Sequence, residues 1–406
     1  MSAPSTLDVA ALRAHFPSLR SGVAHFDGPG GTQTPRQVGE AIAATLTGPL
    51  SNRGRVGESE RNADDAVTRF RDAYADLLGV PAEGVVYGRS ATQLTYDLSR
   101  AIAKQWGPGD EVVVCRLDHD ANVRPWIQAA HAAGAGVRWL DFDPRTGEPD
   151  LTGLAELINR RTRLVAVTAA SNLIGTKPPV RAIADAAHAV GALVHVDGVH
   201  YAAHEFVDVE ALGADLFVCS PYKFLGPHCG VLAAAPDLLE TLRPDKLLPA
   251  TDAVPERFEL GTLPYELMAG ATAAVDFLAG IAPGPATGRR DQLRASLQAV
   301  EEHELRLRGV LEAGLADLAP HVAVHSRAAE RTPTLLLSLP GRRTWDAYEF
   351  LARRDVLAPA GSFYAYEPFR RLGLDDEHGL RLGLAPYTDD DDVARALQGL
   401  ADFLAR

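Results

Sequence analysis

Lysine is rare in this chain and occurs only at positions 104, 177, 223 and 246. Lys223 stands between the apolar sequence LFVCS and the sequence FLGP. Burial lowers the pKa of an ammonium group and leaves a neutral amine, which is a nucleophile. Arginine cannot replace lysine in that role, because its guanidinium stays protonated. We therefore interpret Lys223 as a chemically active amine and not as a surface lysine.

Polar residues follow three other apolar runs. Asp197 follows ALVHV, His119 lies just after EVVVCRL, and Asn172 lies just after RLVAVTAA. If these runs are parallel strands, their carboxyl ends meet at one edge of a sheet, where such sheets bind ligands. His119 also has an interpretation as a buried structural histidine, and Asn172 as a turn residue. The order of the runs nevertheless predicts that these side chains meet.

A fourth segment, VVYGRSATQLTYDLSRAIA, is typical of a strand, a turn and a helix. The amides at the start of such a helix, with the hydroxyls of Ser90 and Thr92, suit a phosphate group. The alternative is that Ser90 only caps the helix.

Four residues in HVDGVHYAAH resemble a metal-binding cluster, namely His195, Asp197, His200 and His204. A metal-dependent hydrolase would be a different class of enzyme. Alternation along a strand would put His195 and Asp197 on the same face. No second acidic or histidine cluster follows at a comparable spacing, so we do not favour a metal site.

The four segments together indicate pyridoxal 5′-phosphate. That cofactor needs a lysine for its Schiff base, an acid beside its pyridine nitrogen and a cradle for its phosphate. A flat side chain over its ring is a further benefit. Lys223, Asp197 and the GRSATQ turn match the three needs, and His119 can supply the flat ring.

The elements that must position these residues are clear between about residues 85 and 235. Short apolar runs without polar alternation lie between amphipathic stretches, as in strands buried on both faces with helical crossovers. We predict helices over ANVRPWIQAAHAAG, LTGLAELINRR and VRAIADAAHAVG. The fold class is therefore α/β, with a mostly parallel sheet in a large domain. The tail, with a long helix at about 285–316 and strands in HVAVHS and PTLLLSLP, predicts a smaller α+β domain.

Composition and charge limit the possible partners and the cellular location. The chain has 406 residues and a formal charge of −13, which argues against nucleic-acid and anionic-membrane partners. Three cysteines, Cys115, Cys219 and Cys229, fit no disulfide framework or zinc spacing and indicate buried structural thiols. No apolar stretch reaches membrane-spanning length, and no secretory signal pattern is present. We expect a soluble protein of a reducing cytoplasm.

With these motifs in order, the chain resembles the class V aminotransferase family of fold-type I pyridoxal-phosphate enzymes, and within it the cysteine desulfurase and selenocysteine lyase branch. The resemblance implies that Lys223 in SPYKFLGP forms the internal aldimine and that Asp197 in HVDGVH pairs with the pyridine nitrogen. His119 in LDHDAN would stack on the ring. His200 takes a position where relatives usually carry glutamine, near the phenolic oxygen. We expect the Lys223 amine to act as the base that removes the substrate α-proton. We also expect catalytic roles for His119 and Asp197.

The same resemblance assigns residues to the cofactor phosphate and to the substrate α-carboxylate. The phosphate cradle would consist of Ala91, Thr92, Ser220 and Tyr222, with Tyr222 in place of a frequent histidine. Asn172 in SNLIGT and Arg381 in GLRLGLAPYT would hold the substrate α-carboxylate, and the planar fork of an arginine suits that group.

The resemblance further implies a homodimer with shared active sites, because Thr262 in ELGTLP would reach the phosphate of the neighbouring subunit. SNRGR, at 51–55, would belong to the shared entrance. We expect an N-terminal segment 1–25 that packs on the small domain, a large cofactor-binding domain 26–268 and a small C-terminal domain 269–406, with GIAPGPATG near the last boundary.

One departure from the family affects the predicted reaction. Persulfide-forming relatives carry a cysteine on a loop before the arginine, but here the loop reads APAGSFYAYEPFRRLG, and Tyr364 is the nearest match. Without that thiolate, attack on a substrate sulfur lacks a nucleophile. We expect α-proton abstraction followed by elimination, a carbon–sulfur lyase reaction. Epimerisation and transamination are the alternatives. Ser362, Tyr364 and Tyr366 either act as acids or line the pocket, with aromatic packing of the loop as the other interpretation, and we place Tyr364 among the substrate-binding residues. A binding module without activity is less consistent with the retained Lys223.

Overall fold

The computed structural model describes residues 7–282, 288–375 and 379–406. The strands in these ranges are β1 (Ala24–His25), β2 (Val85–Gly88), β3 (Glu111–Cys115), β4 (Gly136–Leu140), β5 (Thr162–Thr168), β6 (Leu193–Asp197), β7 (Leu216–Cys219), β8 (Gly230–Ala234), β9 (Ala323–Val324), β10 (Thr334–Ser338), β11 (Val356–Leu357) and β12 (Leu380–Gly383).

The α-helices in the same ranges are α1 (Val9–Arg13), α2 (Arg36–Thr47), α3 (Glu58–Leu78), α4 (Ala91–Ala103), α5 (Arg124–Ala133), α6 (Leu154–Leu157), α7 (Val180–His188), α8 (Val209–Leu212), α9 (Pro236–Thr241), α10 (Tyr265–Ala279), α11 (Arg289–Ala316), α12 (Thr344–Ala352), α13 (Tyr366–Arg371) and α14 (Asp390–Leu404). None of them has an apolar stretch long enough to cross a membrane.

The apolar runs between residues 85 and 235 form one seven-stranded sheet in the order β2-β8-β7-β6-β5-β3-β4. The pairs from β4 to β7 are parallel, and β8 runs antiparallel to both β7 and β2. This confirms the predicted α/β class with a mostly parallel sheet. The topology brings the carboxyl ends of β3, β5, β6 and β7 to one edge.

Successive residues of the central strands are buried against opposite layers, which explains why their sequences lack polar alternation. In β3, Val112 and Val114 pack in one apolar cluster with Trp126 of α5. Val113 packs in another cluster with Ile183 of α7. The core of the large sheet therefore fixes the position of every strand end that carries a candidate site residue.

A second, three-stranded sheet of β12, β10 and β9 forms the centre of the C-terminal part. Its strands pack against the second half of α11 and against α12 and α14. The N-terminal chain joins this part, because β1 pairs in parallel with β11 and Phe26 belongs to the same apolar cluster. Phe16 instead packs in a cluster with the large sheet.

The division into 1–25, 26–268 and 269–406 stays a prediction. Residues 1–6 and most of GIAPGPATG, the segment 283–287, lie outside the described residues. Helix α11 contacts both parts of the molecule, since Leu293 packs in a cluster with the large sheet and Leu307 with the smaller one.

Two predicted elements are shorter than expected. The helix predicted over LTGLAELINRR is limited to α6, because the Asn159 side chain accepts from the Arg161 amide and the Asn159 amide donates to Thr162 Oγ1. These local bonds satisfy the backbone outside a helix. The strand predicted in HVAVHS is limited to the two residues of β9.

Candidate active site

Nine of the predicted site residues line a single cavity at the carboxyl edge of the large sheet. They are Ala91, Thr92, His119, Asn172, Asp197, His200, Ser220, Tyr222 and Lys223. The register explains the meeting point, because Thr168 at the end of β5 lies beside Asp197, and Asp197 lies beside Val218 of β7. A short 3₁₀ turn, Pro221–Lys223, then turns the chain back over this edge.

Lys223 is buried, with 8% of its surface exposed. Its ammonium Nζ donates a hydrogen bond to the carbonyl of Pro29. Burial lowers the pKa of Lys223 to about 7, and the nearby Arg381 acts in the same direction, while Asp197 opposes the change. A large share of this amine is therefore neutral near pH 7, as a nucleophile requires.

Asp197 ends β6 and is also buried. Burial raises the pKa of its carboxyl group to about 6, while a hydrogen bond of 2.9 Å from the Val199 amide and the charge of Lys223 both oppose that rise. A cation placed against this carboxylate would favour its charged form. The site thus contains one anion and one amine with shifted pKa values in a shared, water-poor space.

His119 presents a neutral ring to the cavity. Its Nδ1 accepts a hydrogen bond of 3.0 Å from the Ala121 amide, so the proton of the neutral ring is on Nε2. Burial lowers the pKa of His119 to about 4, and Lys223 contributes to the lowering. A neutral, flat ring suits stacking on a planar ligand.

The opposite end of the cavity is the start of α4. Ser90 is the N-cap and its hydroxyl accepts from the Gln93 amide at 3.1 Å, so the capping interpretation of Ser90 is confirmed. The amides of Ala91 and Thr92 are in the first turn, where no intrahelical acceptor exists. Gly230 makes this arrangement possible, because a Cβ there would collide with the backbone of Ser90. Backbone amides in this position can bind an anion.

Arg381 is buried next to this cavity and lines an adjoining one of about 740 Å³ together with Tyr222. Its Nη1 donates to the carbonyl of Asn172 at 2.9 Å, and the Asn172 amide Nδ2 donates to the carbonyl of Phe363 at 3.0 Å. Burial lowers the pKa of Arg381, and Asp27 and Tyr222 oppose that change. Arg381 Nε and Asn172 Oδ1 are buried without hydrogen-bond partners, so both atoms are available to bond a ligand.

The loop that contains Tyr364 is held closely over the site. Phe363 and Tyr364 both have a φ of 56°, a left-handed conformation that is unfavourable for bulky residues. The Tyr364 carbonyl accepts from the Asp120 amide at 2.8 Å, and its ring lies 5.7 Å from that of His119. The ring of Phe363 covers the guanidinium of Arg381. The sequence indicated that this loop belongs to the site, but it gave no signal for Phe363.

The histidines of the metal alternative have separate partners. His195 packs edge-on against Trp126 with its ring centroid 5.0 Å away. His200 bonds the hydroxyls of Thr332 and Thr334, and His204 bonds Glu304 at 2.8 Å. In the three described ranges, no group of three or more His, Cys, Asp or Glu side chains is arranged to hold a metal ion.

All three cysteines are buried, as predicted. Cys115 and Cys219 end β3 and β7, and Cys229 directly precedes β8. Burial raises the pKa of each thiol. A thiol in this state is a poor nucleophile.

Thr262 lies away from the Lys223 cavity in its own subunit. It is exposed and lines a surface depression with Tyr87, Arg89 and Leu260. The structure therefore does not bring this predicted residue together with the others.

The residues present fit pyridoxal 5′-phosphate. The cavity has backbone amides for an anion at one side, a carboxylate beside an amine at the other, and the flat ring of His119. His200 Nδ1 is buried without a partner in a side chain that lines the cavity, so a ligand acceptor or donor has a place there. These features are the ones that the cofactor needs.

Comparisons with known proteins agree with this geometry. Residues 24–396 match the family model described as aminotransferase class-V. An uncharacterized protein of Mycobacterium tuberculosis is 31% identical over 98% of this chain and 99% of its own length. A cysteine desulfurase of Pectobacterium atrosepticum is 29% identical over 97% of each chain.

Solved structures show the same fold. The cysteine desulfurase CsdA from Escherichia coli has a TM-score of 0.86 and 26% identity, covering 98% of this chain and 99% of its own. A cysteine desulfurase from Thermococcus onnurineus has a TM-score of 0.88 at 22% identity over the full length of both chains, a likeness of fold alone.

Proposed function

The chain belongs to the class-V aminotransferase family and is a pyridoxal-phosphate-dependent enzyme of the cysteine desulfurase-like branch, and from this premise we propose that it is a carbon–sulfur lyase that works by elimination without a persulfide. The supporting observation is the cavity that unites Lys223, Asp197 and His119 beside Arg381. The burial of all three cysteines supports the absence of a persulfide step.

When bound, pyridoxal phosphate supplies an aldehyde that condenses with an amine and a ring that withdraws electrons from the substrate α-carbon. We assign Lys223 to the covalent attachment and Asp197 to the pyridine nitrogen. His119 would lie against the ring. The amides of Ala91 and Thr92, with Ser220 and Tyr222, would hold the phosphate.

Arg381 and Asn172 would orient the substrate. The unpaired Nε of Arg381 and the buried guanidinium suit an α-carboxylate, which an arginine can grip with two hydrogen bonds. Lys223 would then take the α-proton, because its pKa of about 7 leaves it able to accept a proton near neutral pH. The adjoining cavity of about 740 Å³ provides room for a side chain larger than that of cysteine.

The reaction needs no cysteine nucleophile. In the elimination of cysteine, one water is consumed and pyruvate, ammonia and sulfide are released. Tyr364, at the position of the persulfide cysteine of relatives, is 79% exposed. A phenol there cannot receive a sulfur atom, so free sulfide or a thiol is the expected product.

Epimerisation is the second candidate, and the nearness of the Tyr364 and His119 rings favours it. A phenol beside His119 offers a proton donor other than Lys223. Transamination is the further alternative within the family.

The test is an incubation of the yellow holoenzyme with L-cysteine, L-cystine and related amino acids, with assays for pyruvate, ammonia and sulfide. Elimination predicts that pyruvate, ammonia and sulfide all appear from L-cysteine, and that pyruvate and ammonia appear from a larger substrate. Lys223→Ala should abolish the formation of these products. If no pyruvate appears while the α-proton still exchanges with heavy water, elimination is wrong and epimerisation replaces it.

The homodimer is part of the same proposal. Thr262 is exposed and outside the Lys223 cavity of its own subunit, which is consistent with a role in the neighbouring subunit. Arg53 of SNRGR bonds Glu256 at 3.1 Å, so SNRGR contacts the segment that leads to Thr262. Mixed dimers of Lys223→Ala and Thr262→Val subunits should regain one intact site. If Thr262 acts within its own subunit, mixing restores nothing.

The proposed location is a reducing cytoplasm, and the three free cysteines support it. The proposed large domain, 26–268, contains the whole seven-stranded sheet.

A further inference from the structure

His200 connects the cavity to the C-terminal part of the chain. His200 is 3% exposed and lines the cavity with Lys223. Its Nε2 lies 3.0 Å from Thr332 Oγ1 and 3.1 Å from Thr334 Oγ1, both next to or on β10. Its Nδ1 is buried and has no hydrogen-bond partner. The two nitrogens of this ring therefore have different surroundings.

The hydroxyl of Thr334 determines which nitrogen carries the proton. Thr334 is fully buried, and within the described residues the only hydrogen-bond partner of its hydroxyl is His200 Nε2. If Nε2 carried the proton, the hydroxyl hydrogen of Thr334 would be buried without an acceptor, which is unfavourable. Thr332 differs, because its hydroxyl can also donate to the carbonyl of Gly175. The favoured arrangement has Thr334 donating to Nε2 and the ring proton on Nδ1.

The charges around His200 keep the ring neutral. Burial lowers the pKa of His200 well below its usual value, and His204, Lys223 and Arg381 act in the same direction. Glu304 of α11 bonds His204 at 2.8 Å. Asp197 is the nearby anion in the cavity. Its carboxylate would be attracted more strongly to Lys223 and to a bound cation than to the neutral ring of His200. His200 thus presents a neutral N–H group.

We propose that Thr334 is a positioning residue, which holds the proton of His200 on Nδ1 so that this N–H donates to the anionic phenolic oxygen of the bound cofactor. The inference rests on the proposed function for the identity of the cofactor, and the nearness of His200 to the phenolic oxygen is what the family resemblance implies. The role of Thr334 is the new element. It adds a role for β10, a strand outside the sheet that carries the site. It also gives the unpaired Nδ1 a partner, which removes the cost of a buried unsatisfied donor.

The consequence is spectroscopic. A donor to the phenolic oxygen draws electron density from it and weakens the hydrogen bond that this oxygen makes to the neighbouring protonated imine nitrogen. The pH at which the lysine-bound cofactor changes colour is therefore lowered by the donor. Loss of a hydrogen bond to a charged group should raise that pH by about one unit.

The test is an absorbance titration of the holoenzyme for wild type, His200→Phe, His200→Gln and Thr334→Val. We expect the colour-change pH to rise by about one unit in His200→Phe and by part of that in Thr334→Val. Glutamine keeps an N–H donor whatever its neighbours are, so His200→Gln should stay near wild type. Thr334→Val should then have no effect in the His200→Gln background. Thr272→Val, which removes a buried hydroxyl bonded to Met268 within α10, is the matched control.

A purely structural Thr334 predicts a different pattern, namely equal effects of Thr334→Val in the wild-type and His200→Gln backgrounds, and that pattern would overturn the proposal. Nitrogen NMR of histidine-labelled protein gives a second measurement, which does not depend on the cofactor. A proton on His200 Nε2 of the wild-type protein would overturn the proposal while leaving the proposed function intact. A wild-type protein that takes up no pyridoxal phosphate would overturn the proposed function itself, and the donor role with it.

Discussion

The guanidinium carbon of Arg381 lies 3.8 Å from the centre of the Phe363 ring, so the group proposed to hold the substrate carboxylate is covered on one face by an aromatic side chain. Such a contact is worth up to about 2 kcal/mol when it is desolvated. The ring also fixes the plane in which the guanidinium can offer its N–H groups.

Phe363→Ala should therefore weaken the binding of an α-carboxylate. We expect the dissociation constant of an unreactive amino-acid analogue to rise about ten-fold, measured by spectral titration of the holoenzyme. Phe363→Tyr keeps the ring and serves as the control. An unchanged dissociation constant in Phe363→Ala would show that the contact does not orient Arg381.

Asp197 predicts a pH-dependent stability of the apoprotein. Its folded-state pKa of about 6 is above the ordinary value of 3.8, so the unfolded chain loses this proton first as the pH rises. The free energy of unfolding is therefore reduced progressively between about pH 4 and 6 and stays reduced above that range. Asp197→Asn removes the penalty. The variant should be more stable than the wild type by about 3 kcal/mol at pH 7, and the difference should vanish below about pH 4.

Urea denaturation of both apoproteins across this pH range measures the effect. Asp143→Asn is an informative control, because Arg145 lowers the pKa of the partly exposed Asp143 to about 2, and its removal should not stabilise the protein at any pH. A stability difference for Asp197→Asn that does not change with pH would contradict the burial of its charge.

The left-handed backbone of Tyr364 predicts a gain in stability on substitution. A bulky residue in this conformation costs about 1–2 kcal/mol, and glycine avoids the steric part of that cost. Because Tyr364 is 79% exposed, little apolar burial is lost. We expect Tyr364→Gly to raise the free energy of unfolding of the holoenzyme by about 1 kcal/mol, whereas Tyr366→Gly, in the first turn of α13, should lower it. Equal losses in both variants would show that the Tyr364 side chain stabilises its loop.

The buried thiols predict that the reaction proceeds without sulfur transfer to the protein. Mass spectrometry of the holoenzyme after turnover with L-cysteine should show no added sulfur on Cys115, Cys219 or Cys229. Activity should also survive a thiol-blocking reagent under native conditions, since burial raises the pKa of all three thiols. A persulfide on any one of them, formed during turnover, would contradict the elimination proposal.

The sequence was sufficient to predict the sheet and most of the cavity. Strands buried on both faces require uninterrupted apolar runs, and the parallel connections send the residue after each run to the same edge. Asp197, His119 and Lys223 were therefore predictable as neighbours, although His119 and Lys223 are 104 positions apart. The position of the α4 N-terminus at the cavity followed from a local strand–turn–helix pattern in the same way.

The sequence contains no comparable pattern that predicts contacts between distant segments. His200 meets Thr332 and Thr334, which are 132 and 134 positions away, because β10 of the smaller sheet packs against the segment after β6. The Phe363 ring reaches Arg381 only because the loop takes a left-handed conformation that its residue types disfavour. The early end of α6 depended on the Asn159 side chain, which competed with the helix for backbone bonds.

The most direct test of a Schiff base at Lys223 is reduction of the holoenzyme with borohydride, followed by peptide mapping. The yellow colour should bleach, and one equivalent of the reduced cofactor should be attached to the peptide containing Lys223. Lys223→Ala should take up none covalently. Attachment at Lys104, Lys177 or Lys246 instead, or a Lys223→Ala variant that keeps both its colour and its turnover, would contradict it.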